Sequence, residues 1–155
     1  MVNTKNNGFE FIEFIVREDE LIDFSSLAGS YAVIQCEGNY LLCYNTMRSQ
    51  WEIPAGRREA NETAKECAIR ELYEETGQSV TDMHFKGLLK VRNVSNGNIK
   101  YNPVYFAVID TLQPFIQNNE TSCIHLWDLK EQIGYIDEVD FRLLNFLNSS
   151  RRRIS

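Results

Sequence analysis

The sequence predicts an α+β fold, a mixed sheet sandwiched by helices, and three observations carry that prediction. Several short runs are rich in aromatic and β-branched residues, the composition of strands. Two pairs of these runs are separated by short turn signals. Only two segments, one in mid-chain and one near the end, show the apolar spacing of a helix. The 155 residues suit one domain spanning 1–155, long enough to build its own core.

In chain order, Phe9 to Val16 reads as a first strand. Tyr31–Cys36 and Tyr40–Tyr44 flank Glu37-Gly38-Asn39, a tight hairpin signal. Gly87–Val94 and Ile99–Ile109 flank Ser95-Asn96-Gly97-Asn98, and Asn-Gly is the strongest short hairpin turn. Cys123–Trp127 is a further short strand. Thr63–Thr76 is predicted helical: Thr63 and Glu66 form a capping box, with Asn61 as an alternative cap. Ala64, Ala68 and Leu72 supply its buried stripe, widened by Cys67, and Gly77 its stop. Glu138–Leu147 is the second helix, with Val139, Phe141, Leu143, Leu144, Phe146 and Leu147 on its apolar face. Residues 149–155, with three consecutive arginines, read as a frayed polar tail.

The hydrophobic share of 43% excludes a disordered chain, and the charged share of 25% an integral membrane protein. A net charge of −6 argues against a nucleic acid polymer as partner, since that needs a basic face. The N-terminal residues lack a signal-peptide pattern, and no run of about 18 apolar residues is present to span a membrane. Cys36, Cys43, Cys67 and Cys123 form no CxxC pair, which speaks against structural zinc. The expectation is a cytoplasmic, reduced protein whose Cys36 and Cys67 act as small core residues.

The acids are unevenly spread. Six of the 22 lie between residues 57 and 75, against four bases. Glu71, Glu74 and Glu75 share one face of the first helix. Glu71 and Glu75 are like charges at i,i+4, which costs roughly 0.2–0.5 kcal/mol. Glu74 and Glu75 also sit in the last turn, where the macrodipole disfavours acids by about 0.3–1 kcal/mol each. One reading is a solvated acidic face softened by Arg70. The other is a site for a hard divalent cation, which takes carboxylate oxygens.

The full spacing is G-x5-E-x7-R-E-L-x-E-E-x-G, carried by Gly56, Glu62, Arg70, Glu71, Leu72, Glu74, Glu75 and Gly77. This resembles the signature of the Nudix hydrolase family (the MutT-like fold). Only the position after the last glycine departs, with Gln78 where the family usually has an aliphatic residue. The departure is expected to weaken local packing more than chemistry.

The resemblance implies an α/β/α sandwich around a mixed sheet. It also implies hydrolysis of the pyrophosphate linkage in a nucleoside diphosphate linked to another moiety, with Mg²⁺ or Mn²⁺ bound. Glu74 and Glu75 match the family's metal-ligand glutamates, and the Gly56 carbonyl often joins them. Glu71 matches a ligand or general base, and Arg70 an arginine that orients the glutamates. Glu62 matches a glutamate near the metal, though a helix-start role suits it equally. An acid before a late strand is frequent in the family, which makes Glu120 a candidate fourth ligand or base. Arg48 and Arg57 flank the loop entering the signature, and their guanidinium forks suit phosphate. His84 and His125 are expected in packing or surface roles, and Trp51 and Trp127 in the core or at its rim. Base stacking by Trp51, Phe9 or Tyr105 stays open.

Trp51–Gly56 looks a little like the loop of ADP-ribose pyrophosphatases. The proline these usually carry beyond the signature is absent, however, from Val91-Arg92-Asn93-Val94. A nucleoside triphosphate, ordinary or oxidised, is therefore placed ahead of ADP-ribose or another nucleotide sugar. A non-catalytic nucleotide-sensing domain is a third reading, disfavoured because every signature glutamate is present. A second copy of the chain is a candidate partner through strand Phe9–Val16, although a place in its own sheet is the simpler account.

Overall fold

A computed structural model describes residues 2–19 and 27–154, with side chains through residue 150. The order is β1 (Asn3–Lys5), β2 (Phe9–Val16), β3 (Ser30–Cys36), β4 (Asn39–Asn45), β5 (Gln50–Glu52), β6 (Ala55–Gly56), α1 (Ala64–Thr76), β7 (His84–Asn93), β8 (Ile99–Ile109), β9 (Thr121–Trp127), β10 (Tyr135–Asp137) and α2 (Glu138–Ile154). All ten strands join one mixed sheet in the order β1-β10-β5-β4-β3-β8-β7-β2, with β6 on β3 and β9 on β4. β3–β8, β1–β10 and β10–β5 are parallel. The outermost strands of that path, β1 and β2, are consecutive in the chain. Only Asn6, Asn7 and Gly8 lie between them, about 14 Å of extended backbone at most. The sheet must curl until its two edges nearly meet.

Helices cover both faces. Strand alternation sends Ala32, Ile34 and Leu41 to a core completed by Ala68 and Leu72 of α1. Val33, Tyr40, Leu42 and Trp127 point the other way, to a core completed by Val139, Leu143 and Leu144 of α2. This is the predicted α/β/α sandwich, and β2 has its place in its own sheet beside β7.

The local signals held in part. Glu37 and Gly38 both have positive φ, 53° and 82°, between the pairs Gln35–Tyr40 and Cys36–Asn39, the geometry that suits a two-residue hairpin. The second hairpin also forms, β7 pairing antiparallel with β8, but its first strand ends one residue early at Asn93, whose N–H donates to Asn98 O at 2.8 Å. Thr63 caps α1: its Oγ1 accepts from Glu66 N–H (3.1 Å) while Glu66 Oε1 accepts from Thr63 N–H (2.9 Å). Gly77 stops the helix at φ 81°, its N–H donating to Tyr73 O.

The polar tail is a correction. α2 runs through Ile154, so residues 149–154 are helical rather than frayed. Arginine is a good helix former, and cations suit the C-terminal end of a helix dipole. Gln78 is a second departure. It is 1% exposed, yet its amide donates to Gln113 O (2.8 Å) and accepts from Gln113 N–H (2.7 Å). Hydrogen bonds thus tie the segment after β8 to the end of α1 where an aliphatic side chain would pack.

Cys36, Cys43 and Cys67 are buried thiols and Cys123 an exposed one. Trp127 and Tyr105 are core residues, which removes Tyr105 from base stacking. Trp51 sits at the rim, its indole N–H donating to Ile133 O. His84 is exposed, and His125 pairs with Glu131 at 2.7 Å. Among the described residues no helix is long and apolar enough to cross a membrane.

Candidate active site

The last two turns of α1 face the Pro54–Arg57 segment, and Arg70 organises what lies between. Its Nε–H and Nη2–H donate to the two Glu62 oxygens (2.6 and 3.0 Å). Nη1–H donates to Glu71 (2.9 Å) and Glu74 (3.1 Å), and Nη2–H also reaches the Arg57 carbonyl (2.9 Å). Glu59 stands 3.4 Å away. One planar fork therefore fixes three carboxylates and the incoming loop, a geometry a lysine has no means to reproduce. Glu62 belongs to this bracket: the guanidinium holds its carboxyl below the usual range, and the helix cap is left to Thr63.

Glu71 and Glu75 are buried to different depths. Burial pushes the half-buried Glu71 carboxyl up against the opposing pull of Arg70. Glu75 is 6% exposed. It accepts the Ala55 N–H at 2.8 Å. Burial, reinforced by the negative charges of Glu71, Glu120 and Glu52, raises it to about 8. Glu74 projects outward, with 52% of its side chain exposed. Glu120 sits on the exposed loop before β9, near enough for its charge to act on both Glu71 and Glu75. Its loop is locked in place: the Glu120 carbonyl accepts from Thr46 N–H and Oγ1–H. Thr121 Oγ1–H donates to the Glu75 carbonyl at 2.7 Å, closing the end of α1.

The structure thus brings Gly56, Glu71, Glu74, Glu75, Glu120 and Arg70 into one region. Among the described residues, no three acidic, histidine or cysteine side chains converge at metal-ligand spacing; Arg70 draws Glu71 and Glu74 to itself. The donor chemistry nevertheless fits a hard cation. Carboxylate and carbonyl oxygens are what Mg²⁺ and Mn²⁺ take, and the Glu71 carboxylate lies directly against the bare α-carbon of Gly56. A Cβ there would meet Glu71 Oε2 at 2.6 Å.

Beside this face opens a cavity of about 340 Å³, whose lining includes Gly29, Tyr31, Arg48, Glu52, Gly56, Arg57, Asp137 and Asp140 together with Phe9, Lys100 and Asn102. Arg57 is exposed on that lining. Arg48 is committed to Glu52, through Nε–H (2.7 Å) and Nη2–H (3.3 Å). The floor was not foreseen from the sequence. Asn7 Nδ2–H donates to Gln50 and to Asp137, both at 2.7 Å, and Gln50 donates to Glu52 at 2.6 Å. Asp140 is 3% exposed. Burial, with the charges of Asp137 and Glu52, pushes its carboxyl well up, while its Oδ2 accepts the Ile53 N–H at 2.8 Å. An Asp in the first turn of a helix looks ordinary in a sequence, and only the tertiary fold reveals its burial.

Solved structures with this architecture include the Bacillus subtilis pyrophosphohydrolase BsRppH, which is 21% identical with a TM-score of 0.65, covering 90% of this chain and 89% of that one. The NUDIX domain of Shewanella oneidensis NrtR, solved with ADP ribose, is 17% identical with a TM-score of 0.66, covering 85% and 90%. Among curated proteins, the phosphatase NudJ of Escherichia coli (strain K12) is 46% identical over 55 residues, or 34% of this chain. That alignment spans 36% of NudJ's own length. A family model for the NUDIX domain matches residues 28–133, well over half of the sequence. The chain belongs to the Nudix family.

Proposed function

We propose that this chain is a divalent-metal-dependent Nudix pyrophosphohydrolase. It cleaves the pyrophosphate linkage of a nucleoside diphosphate linked to another moiety, foremost a nucleoside triphosphate, ordinary or oxidised. The observation that carries this reading is the Glu71–Glu74–Glu75 face, bracketed by Arg70, with Glu71 set against the α-carbon of Gly56.

Glu71, Glu74, Glu75 and the Gly56 carbonyl would hold Mg²⁺ or Mn²⁺, with Glu120 completing the set from the β9 loop. The metal supplies charge neutralisation for a polyphosphate and acidifies an attacking water. The chain's own part is positional. Arg70 keeps Glu71 and Glu74 on the site side of the helix. Ala55 N–H holds one Glu75 oxygen, which orients the other. Arg57 supplies a fork for a phosphate at the cavity mouth. Glu71 and Glu120 are the two candidates for taking the water's proton, and separate pH profiles of Glu71→Gln and Glu120→Gln would assign the role. The 340 Å³ cavity suits one heterocycle-bearing moiety, and its acceptor-rich floor favours a ring with N–H or amino donors.

ADP-ribose is the second reading, supported by the similarity of Trp51–Gly56 to that subfamily's loop. The test is a Mg²⁺-dependent product analysis across nucleoside triphosphates, oxidised dGTP, ADP-ribose and dinucleoside polyphosphates. Nucleoside monophosphate plus pyrophosphate is expected from the first class. Failure of every substrate, or turnover that Glu74→Gln leaves unchanged, would overturn this reading.

A further inference from the structure

We infer that Gln78 and Asn118 are positioning residues: together they clasp the segment 113–121 to the end of α1 and so set the place of Glu120. The inference rests on the reading of Glu120 as a metal ligand or base, and adds to it two residues that carry no charge. Gln78 stands where the family usually has an aliphatic side chain, and it is 1% exposed. Its Nε2–H groups donate to Gln113 O at 2.8 Å and to Thr76 O at 3.2 Å, while its Oε1 accepts Gln113 N–H at 2.7 Å. Gln113 answers with its own side chain, whose Oε1 accepts Ser79 N–H at 2.8 Å. The next residues lie close on the helix stop: a Cβ on Gly77 would stand 2.6 Å from Pro114 O and 2.9 Å from Ile116 N. An aliphatic side chain could pack here in several registers, whereas directed hydrogen bonds select one.

Asn118 makes the second clasp. Its Nδ2–H groups donate to Ile116 O (3.2 Å) and Thr121 Oγ1 (2.8 Å). Its Oδ1 accepts the N–H groups of Glu120 and Thr121, both at 2.9 Å. Both donors and both lone pairs of the carboxamide are therefore in use. Thr121 Oγ1–H then donates to Glu75 O at 2.7 Å. These contacts close a circuit that leaves the end of α1 at Gln78, runs along 113–121 and returns to α1 at Glu75. Glu120 stands one residue before that return, and its charge acts on both Glu71 and Glu75. Glu120 itself is exposed, so its place comes from the backbone that carries it, and the two carboxamides fix that backbone.

The experiment is a double-mutant cycle on the full chain. It reads Mg²⁺-dependent kcat on the nucleotide of the panel above that turns over fastest, with amide hydrogen exchange alongside. Gln113 is exposed, so water takes up the bonds that Gln78→Leu releases, and this variant is expected to stay folded. Asn118→Ala is expected to lower kcat about tenfold, and Gln78→Leu, farther from Glu120, about threefold. In a Glu120→Gln background each is expected to cost less than about twofold, because the group being positioned is already disabled. Equal losses in both backgrounds, or wild-type kcat in the folded variants, would overturn the inference. Where Asn118→Ala does not fold, Gln78→Leu decides the cycle. Exchange needs no turnover: Gln78→Leu is expected to speed exchange of the Glu120 and Thr121 N–H groups, and unchanged rates there sink the clasp. The premise fails in a different way. Wild-type turnover in Glu120→Gln removes the role of Glu120, and the inference with it, while the pyrophosphohydrolase reading stands. A wild-type chain that turns over no nucleotide sinks both.

Discussion

Two groups of three acids stand within one fold and are handled in opposite ways. On α1, Glu62, Glu71 and Glu74 gather around the Arg70 guanidinium, each within 3.1 Å of it. At the cavity floor, Glu52, Asp137 and Asp140 have Arg48 on Glu52 alone, and Asp140 is buried with its carboxyl pushed well up. In the first group a cation is shared, which holds the Glu62 carboxyl below the usual range and opposes the burial that pushes Glu71 up. In the second, burial favours the proton on Asp140. A cluster of carboxylates is therefore not one kind of object: whether it is poised for a cation or for a hydrogen-bonding ring depends on what neutralises it. Glu75 lies between the two regimes, beside the Arg70 bracket yet buried like Asp140.

Breaking the first group should have the largest effect. Arg70→Ala strands the partly buried carboxylates of Glu62 and Glu71, along with the exposed Glu74, and is expected to lower stability by about 2–3 kcal/mol, discounted from the fully buried case because Arg70 keeps some solvent contact. Turnover is expected to fall by about 100-fold or more, with Arg70→Lys recovering little. Denaturant melts and steady-state kinetics check both. Losses confined to kcat with stability intact would mean that the bracket serves chemistry alone.

Glu75→Gln tests the intermediate case. The site holds this carboxyl at about 8, so near neutral pH a neutral amide costs little stability while removing the anionic ligand. Metal-dependent turnover is expected to drop about 100-fold with the melting temperature unchanged or raised. The linked pH prediction has a definite sign. The folded state binds more protons than the unfolded one wherever a carboxyl is raised, so stability falls as pH rises from about 4.5 to about 8. Metal-free protein should lose up to a few kcal/mol over that window. Glu75→Gln flattens the slope, and Mn²⁺ opposes it. Melting curves with a chelator across that range would show a rising trend if the sign were wrong.

The floor should respond more mildly. Asp140→Asn preserves an acceptor for Ile53 N–H and is expected to be near neutral in stability. Asp140→Ala orphans that N–H and costs about 1–3 kcal/mol. Both variants should alter preference among nucleobases more than the metal requirement, measured as kcat/KM ratios across a nucleotide panel.

The same contrast explains what could be read in advance. α1 was legible to within a residue because capping box, apolar stripe and stop are all local, and its acids follow the helical period. β1, β5, β6 and β10 have two or three residues each, too short for a period, and exist through their pairing partners. Asp140 and Asn7 acquire their roles from neighbours far along the chain, so spacing carried no trace of them. Arg48 could be placed at the cavity from its position, but its commitment to Glu52 could not.

The curled sheet has a kinetic consequence. β1 pairs with β10 through Asn3–Tyr135 and Thr4–Ile136, and Asn7 bonds Asp137 across 130 positions. Contacts of such separation carry a large loop-closure entropy and form late, whereas the capping box of α1 spans three residues. The acidic helix face should therefore assemble early and the cavity floor last. During folding the chain would pass through a stage able to hold a cation before it can discriminate a nucleobase, and amide protection should appear in α1 before it appears at Ile136.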